Sequence, residues 1–259
     1  MQLATFQKEK NFILYDAERF CDGGKPLEPP GIGAQEGAAR GRCASSMPLE
    51  PRWFFPDYWR ERDAVTGEAP GRGASLFLTA PDRPDEQWVL RPYRRGGLIA
   101  RVNDAHYLWT GRERTRAFRE LRLTAALHAK GLPVPRPVAA GVWQHGFTYQ
   151  AALITVRLTG ARALADCLAD ADAALLERVG ATIRRFHDSG LDHVDLNARN
   201  LLVTPGGEVF LIDLDRCRLR QPGRWQAGNL SRLERSLKKF GASASLPAIL
   251  AGYHDKSDG

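Results

Sequence analysis

The pattern of apolar and polar positions changes its period part-way along the chain. Before Gly160 the runs are short and strand-like. Asn11 to Tyr15 is an apolar run. Leu76 and Leu78 fall on one face with Phe77 on the other, and Trp88-Val89-Leu90-Arg91 follows a polar turn at 81–87. Arg112 to Lys130 has helical spacing, with Phe118, Leu121, Ala125 and His128 on one side, and Gly131 and Pro133 end it. Pro137 to Trp143 and Phe147 to Val156 then predict a hairpin around Gln144-His145-Gly146. After Gly160 the period becomes helical. The spacing predicts a short helix over 161–169 and a longer one over 173–189, where Leu176, Val179, Ile183 and Phe186 recur every three or four residues before Gly190. Leu201 to Val203 and Val209 to Ile212 form a second hairpin pattern, and a basic amphipathic helix is expected around Leu230 to Phe240. The expected class is α+β. An antiparallel-sheet lobe with one main helix, 1–156, precedes a mostly helical lobe, 157–259, with a hinge at Arg157-Leu158-Thr159-Gly160.

One stretch fits neither period. Residues 22–51 hold six glycines and five prolines with almost no apolar periodicity, the composition of an inserted, solvated loop. The aromatics that follow, Trp53, Phe54, Phe55, Tyr58 and Trp59, are expected to pack a core rather than stack on bases.

Composition narrows the class without choosing a function. The chain has 259 residues, 43% hydrophobic and 26% charged, so it carries enough apolar surface for a packed core. No apolar run reaches the roughly 18 residues of a membrane span, and the first ten residues lack the pattern of an export signal. Cys21, Cys43, Cys167 and Cys217 are scattered, with no metal-binding spacing, and read as reduced thiols of a cytosolic protein. The formal charge is +7, which suits nucleic acid, an anionic membrane or a phosphorylated ligand alike. That excess is concentrated. Residues 91–122 carry nine arginines against three acids, and 216–240 carry six arginines and two lysines against Glu234.

The chemistry is concentrated too. His193-Val194-Asp195-Leu196-Asn197-Ala198-Arg199-Asn200 lies between the long helix and the second hairpin, and Ile212-Asp213-Leu214-Asp215 closes that hairpin. Phosphoryl transfer needs a group that accepts the acceptor's hydroxyl proton and oxygen ligands for a Mg²⁺ ion bridging the phosphates. A loop Asp, an Asn five residues on and an Asp after the hairpin supply both. This spacing resembles the H-x-D-x-x-x-x-N loop and the following metal-binding Asp of the protein-kinase superfamily, which implies a bilobal protein-kinase-like fold. Asp195 is then the catalytic base, and Asn200 and Asp213 are the metal ligands. Asp215 either joins them or holds the Arg216–Arg218 segment, and His193 buttresses the loop.

Upstream, Gly71 and Gly73 in GRGASLF stand as a phosphate-covering loop, where glycine lets backbone N–H groups approach phosphate oxygens. Arg91 stands where the superfamily places a phosphate-contacting Lys, and Glu120 where it places the acid that pairs with that cation. Arg for Lys is a departure. So are Val194 for the Arg of H-R-D and Asp213-Leu214-Asp215 for Asp-Phe-Gly. With no A-P-E segment either, protein substrates and activation-loop control are not expected.

The wording of GRGASLFL, WVLRPYRRGGLI, FRELRL, GLPVPRPVAAG, HVDLNARNLLV and VFLIDLDRCR is similar to the lipopolysaccharide sugar kinases of Gram-negative bacteria that act on 3-deoxy-D-manno-octulosonic acid (Kdo). The resemblance covers about 53–224. It implies transfer of the ATP γ-phosphate to the Kdo 4-hydroxyl on a lipid A precursor, with Mg²⁺, at the cytoplasmic face of the inner membrane. It implies no nucleic acid and no obligate protein partner. The arginine-rich stretches then face an anionic glycolipid, with Arg94 and Arg95 on the acceptor side. Two alternatives stay open: a heptose or other small-molecule kinase of the same fold, and a non-catalytic pseudokinase binding module.

Overall fold

The computed structural model describes residues 1–20, 49–69, 75–81, 83–93 and 106–255. Gly71, Gly73, Arg94, Arg95, Cys21, Cys43 and most of the Gly/Pro-rich stretch lie outside the described residues. The chain divides into two compact units, residues 1–118 with 137–155, and residues 119–136 with 156–259.

The first unit is built on a sheet of eight strands, β1 (Leu3–Lys8), β2 (Asn11–Asp16), β3 (Val65–Ala69), β4 (Ser75–Ala80), β5 (Arg83–Pro92), β6 (Tyr107–Leu108), β7 (Pro137–His145) and β8 (Thr148–Val156). Their order is β1-β2-β7-β8-β5-β4-β3, with β6 pairing β8. β1 was not expected, because only two of its six residues are apolar side chains of any size and none is buried. β5 is longer than expected: the polar run read as a turn continues the strand from Arg83, since its backbone pairs with β4 whatever its side chains are.

The packing residues of this unit are aromatic. Trp53, Trp59, Trp88 and Phe20 are almost fully buried, with ring centroids 5.4 Å apart for Phe20–Trp53 and 5.5 Å for Trp53–Trp88. Trp53 sits in the 3₁₀ turn Pro51–Phe54, and Trp59 in the short helix α1 (Pro56–Arg60) that follows it. The Trp59 indole N–H donates to the Trp53 carbonyl at 2.7 Å, which satisfies a polar atom this packing would otherwise strand. Packing, not base stacking, is what this cluster does.

Helix α2 (Arg116–Ala129) starts four residues later than its sequence pattern, because Arg112–Arg114 forms a separate 3₁₀ turn. Its residues through Phe118 belong to the first unit and those from Arg119 to the second.

The second unit contains α3 (Ala173–Asp188), α4 (Trp225–Lys239) and α5 (Leu246–His254). It also has two small antiparallel sheets, β9 (Arg162–Ala163) with β11 (Leu201–Val203) and β12 (Val209–Leu211), and β10 (Leu191–Asp192) with β13 (Arg218–Leu219). Its core is aliphatic and includes Leu127, Leu164, Val179, Ile183, Leu201 and Leu237. The Asp172 carboxylate caps α3 by accepting the Leu175 N–H at 2.7 Å, worth about 1 kcal/mol. α3 and α5 cross closely enough to require glycine. A Cβ on Gly180 would lie 1.9 Å from the Ile249 carbonyl oxygen.

The helix expected over 161–169 is not there. Arg162–Ala163 pairs with Val203 and Leu202, and Leu164–Asp166 is a single 3₁₀ turn. The Ala- and Leu-rich composition favours helix, but pairing to β11 overrides that weak preference.

Candidate active site

The loop after β10 carries the site, and it is wired almost entirely through its backbone. The Asn197 side-chain oxygen accepts the N–H groups of Arg199 (2.9 Å) and Asn200 (3.2 Å), an Asx turn that folds the chain back on itself. That fold brings Asn200 to its own loop's start, where its Nδ2 donates to the Asp195 carbonyl at 2.9 Å. Asn197 Nδ2 donates to the same oxygen, also at 2.9 Å. With Nδ2 so committed, the Asn200 Oδ1 is turned away from that bond. The Asp195 carboxylate is exposed, although its backbone is fixed twice.

The loop is fastened from outside as well. Leu196 and Ala198 are buried in the aliphatic core. The Ala198 N–H donates to the Ser236 hydroxyl on α4 (3.1 Å), and its carbonyl accepts the Ala165 N–H (3.0 Å). The Arg199 guanidinium lies 5.2 Å from the Phe240 ring centroid.

His193 joins this loop to the segment after the hairpin. Its Nε2 bonds the Ile212 carbonyl at 3.0 Å, and the Ile212 N–H returns to the Asn200 carbonyl at 3.0 Å. Burial lowers the His193 pKa; the Ile212 carbonyl and the nearby Asp213 and Asp195 oppose that shift. A neutral ring carries its one proton on Nε2 toward Ile212. His193 is therefore a strut, as expected.

Asp213 follows with φ +60°, a left-handed conformation uncommon for a non-glycine residue, and Arg216 repeats it at +61°. Asp195, Asn200 and Asp213 are thus gathered around one His193–Ile212 link. Among the described residues no group of three or more His, Cys, Asp or Glu side chains forms a metal cluster. The donor set here is one carboxamide and one carboxylate. Hard oxygen donors of this number fit Mg²⁺, which keeps waters and phosphate oxygens as its remaining ligands.

Two residues that the sequence reading missed hold the site from behind. Asn197 is the first. The second is Asp192, buried at the end of β10, which accepts from Arg220 Nη1 at 3.0 Å and lies 3.7 Å from Arg218 Nε. Both arginines belong to the stretch expected to face an anionic acceptor. They also pin β13 to β10, and so pin the segment after Asp213 to the one before His193. Spacing along the chain gives no warning of a pair 28 residues apart.

The upstream candidates fall in different places. Arg91 is half-buried on β5, its guanidinium 4.9 Å from the Tyr93 ring centroid. Arg116 stacks on Tyr93 at 5.6 Å and on Tyr107 at 4.9 Å. Glu120 is buried in α2, not an exposed helix charge, and its backbone carbonyl accepts the Thr124 hydroxyl at 2.8 Å. Arg91 belongs to the first unit and Glu120 to the second. Cys217, beside Asp215, is buried, and burial pushes its thiol up to about 12. It is no nucleophile at neutral pH.

Residues 56–253 match the model of the lipopolysaccharide kinase (Kdo/WaaP) family. A 3-deoxy-D-manno-octulosonic acid kinase of Xylella fastidiosa (strain M12) is 42% identical over 234 residues, 90% of this chain and 92% of the relative. One from Stenotrophomonas maltophilia (strain K279a) is 44% identical over 202 residues, 77% of this chain and 80% of its own. One from Xanthomonas campestris pv. campestris (strain B100) is 48% identical over 189 residues, covering 72% and 74%. Both the match to most of the chain and the gathered Asp195, Asn200 and Asp213 lead to one conclusion: this chain belongs to the lipopolysaccharide kinase (Kdo/WaaP) family.

Proposed function

We propose that the chain transfers the γ-phosphoryl group of ATP to the 4-hydroxyl of Kdo on a lipid A precursor; relatives named 3-deoxy-D-manno-octulosonic acid kinase support Kdo as the sugar. The observation that carries this reading is the loop 193–200, which fixes the Asp195 backbone twice while leaving its carboxylate exposed. The Kdo oxygen attacks the γ-phosphorus in line and forms a new O–P bond. The bond from that phosphorus to the β–γ bridging oxygen breaks, and ADP leaves. Asp195 takes the hydroxyl proton as the oxygen becomes nucleophilic.

Asn200, through Oδ1, and Asp213 would hold Mg²⁺. When bound, that ion neutralises charge on the phosphates. Arg91 steers the phosphates. In this reading 1–156 is the ATP-binding lobe and 157–259 the catalytic lobe. The enzyme works at the cytoplasmic face of the inner membrane without nucleic acid or an obligate protein partner. Its contact with the lipid acceptor is peripheral in this reading; among the described residues no helix is long and apolar enough to cross a membrane.

Incubation with labelled ATP, Mg²⁺ and Kdo-bearing lipid A in detergent tests this reading. Label is expected on the Kdo residue. Label on a heptose acceptor alone would replace Kdo with heptose as the substrate, and ADP-free mixtures with bound lipid would make the chain a binding module.

A further inference from the structure

Among the described residues, the two most exposed large apolar side chains are neighbours. Phe147 is 91% exposed and Leu108 71%. Both lie at one end of the first unit's sheet. The β7–β8 hairpin closes at the His145↔Thr148 pair, so Gly146 and Phe147 are its two loop residues. Gly146 has φ +58°, and Phe147 is not among the left-handed residues, which is the two-residue turn with glycine first. The second position of such a turn points outward and ordinarily holds a polar residue. Here it holds a phenyl ring.

Leu108 stands opposite Thr148 on β6, next to that turn, and the Trp109 N–H donates to the Phe147 carbonyl at 2.9 Å. Trp109 stacks on Phe12 with centroids 5.4 Å apart, so the backbone beside the two projecting side chains is anchored. They are held out to solvent by the fold rather than left there by a loose loop.

Charge surrounds them. The β1–β2 turn lies alongside, with the Gln144 N–H donating to the Lys10 carbonyl at 3.0 Å, and presents exposed Lys8 and Lys10. Exposed Arg112 joins them, tied to β1 by a 3.2 Å bond to Gln7 Oε1, and exposed Arg114 follows two residues on. Four cations stand against Glu9 and Glu113. Lys and Arg beside projecting Phe and Leu match the interfacial region of an anionic bilayer. There, apolar side chains enter the acyl boundary and cations meet the headgroups.

We propose that this end of the sheet, with Phe147 and Leu108 as its inserting side chains and Lys8, Lys10, Arg112 and Arg114 as its headgroup contacts, docks the protein on an anionic membrane surface. The proposal rests on the reading that the acceptor is a membrane glycolipid, and it names the surface that brings the enzyme to that acceptor. It commits to lipid rather than to a protein partner because the edge pairs projecting apolar tips with cations.

Co-sedimentation with vesicles of phosphatidylethanolamine and phosphatidylglycerol tests it, read beside phosphate transfer to Kdo-lipid A in detergent and thermal melting. Wild type is expected to bind these vesicles and to leave purely zwitterionic ones. Phe147→Asp and Leu108→Asp should each lower the partition coefficient about tenfold. Lys8→Glu should lower it at least fivefold and should flatten its dependence on salt. All three should keep the wild-type melting temperature and their activity in detergent. Unchanged partition of Phe147→Asp and Leu108→Asp would overturn the proposal, as would a change in self-association in place of lipid binding. Loss of transfer in detergent by wild type would sink the kinase reading, and vesicle binding would still report on the docking edge.

Discussion

The two units bury polar groups in opposite ways. In the first, the largest buried polar group is a charge: Arg19 is nearly inaccessible, its Nη1 is 2.6 Å from Glu86 Oε1, and its guanidinium lies 5.1 Å from the Trp88 ring. The Trp88 indole N–H completes the arrangement by donating to the same Glu86 oxygen at 2.7 Å. In the second, the deeply buried side chains are mostly neutral and tied to backbone or to one another. Asn200 is tied to Asp195, His193 to Ile212, and His187 to Tyr253 and Asn229. Charges inside the first unit are consumed in holding it together. Backbone wiring inside the second fixes a loop while leaving the Asp195 carboxylate uncommitted. That difference separates a scaffold from a reaction centre.

The comparison can be broken most sharply within four residues. Asp195→Ala should lower the transfer rate by about 10²–10⁴-fold, the usual contribution of a positioned base, with the melting temperature unchanged. Steady-state kinetics and a thermal melt on the same preparation check both halves. A melt that collapses with the rate would make Asp195 a structural residue.

Next in size is the Arg19–Glu86 pair. Glu86→Ala leaves a buried cation beside Trp88 and should destabilise the first unit by about 3–5 kcal/mol, measured by denaturant unfolding. A change below about 1 kcal/mol would show that this charge is solvated in solution.

The second unit should show its own weakness to acid. Burial lowers the His187 pKa to about 4 from its ordinary 6.5. The direction of its bonds follows from that neutrality: Arg232 donates to Asn229, Asn229 Nδ2 to His187 Nε2, and His187 Nδ1 to the Tyr253 oxygen. The unfolded state takes up the proton first, so this contribution is complete above pH 6.5 and is lost as the pH falls toward 4. It amounts to about 3 kcal/mol at most. His187→Gln should flatten stability against pH across that window, whatever it does to stability at neutral pH. An undiminished slope would assign the acid sensitivity to another group.

Asp192→Asn is the mildest. It weakens the hold of Arg220 and Arg218 and should cost about 1–3 kcal/mol of stability. Activity at a temperature where the variant is folded should fall far less than for Asp195→Ala. An activity loss as large as that of Asp195→Ala would contradict the division between a holding carboxylate and a working one.

What the chain reveals by itself follows the range of each interaction. His193, Asp195, Asn200 and Asp213 were legible because a loop and a short hairpin keep them close in sequence, where spacing carries information. The strand runs at 11–15, 76–78 and 137–156 are legible for the same reason, since short apolar runs are local, alternating in β4 and almost continuously buried in β2 and β7. The failures came from partners far away. Residues 161–169 read as helix because nothing local announces that Arg162 pairs with Val203. The tie of Asp192 to Arg218 and Arg220 is not legible either, because it exists only after β10 meets β13. α5 was missed although it is apolar throughout: its short run, opened by a proline at its second residue, shows no amphipathic stripe.

The most direct test of the central claim is mass analysis of Kdo-lipid A after incubation with ATP and Mg²⁺, using wild type and Asp195→Ala side by side. The account predicts one added phosphate on the Kdo ring, at the 4-position, with wild type and almost none with the variant. An unmodified lipid with wild type, or equal phosphorylation by both proteins, would contradict it.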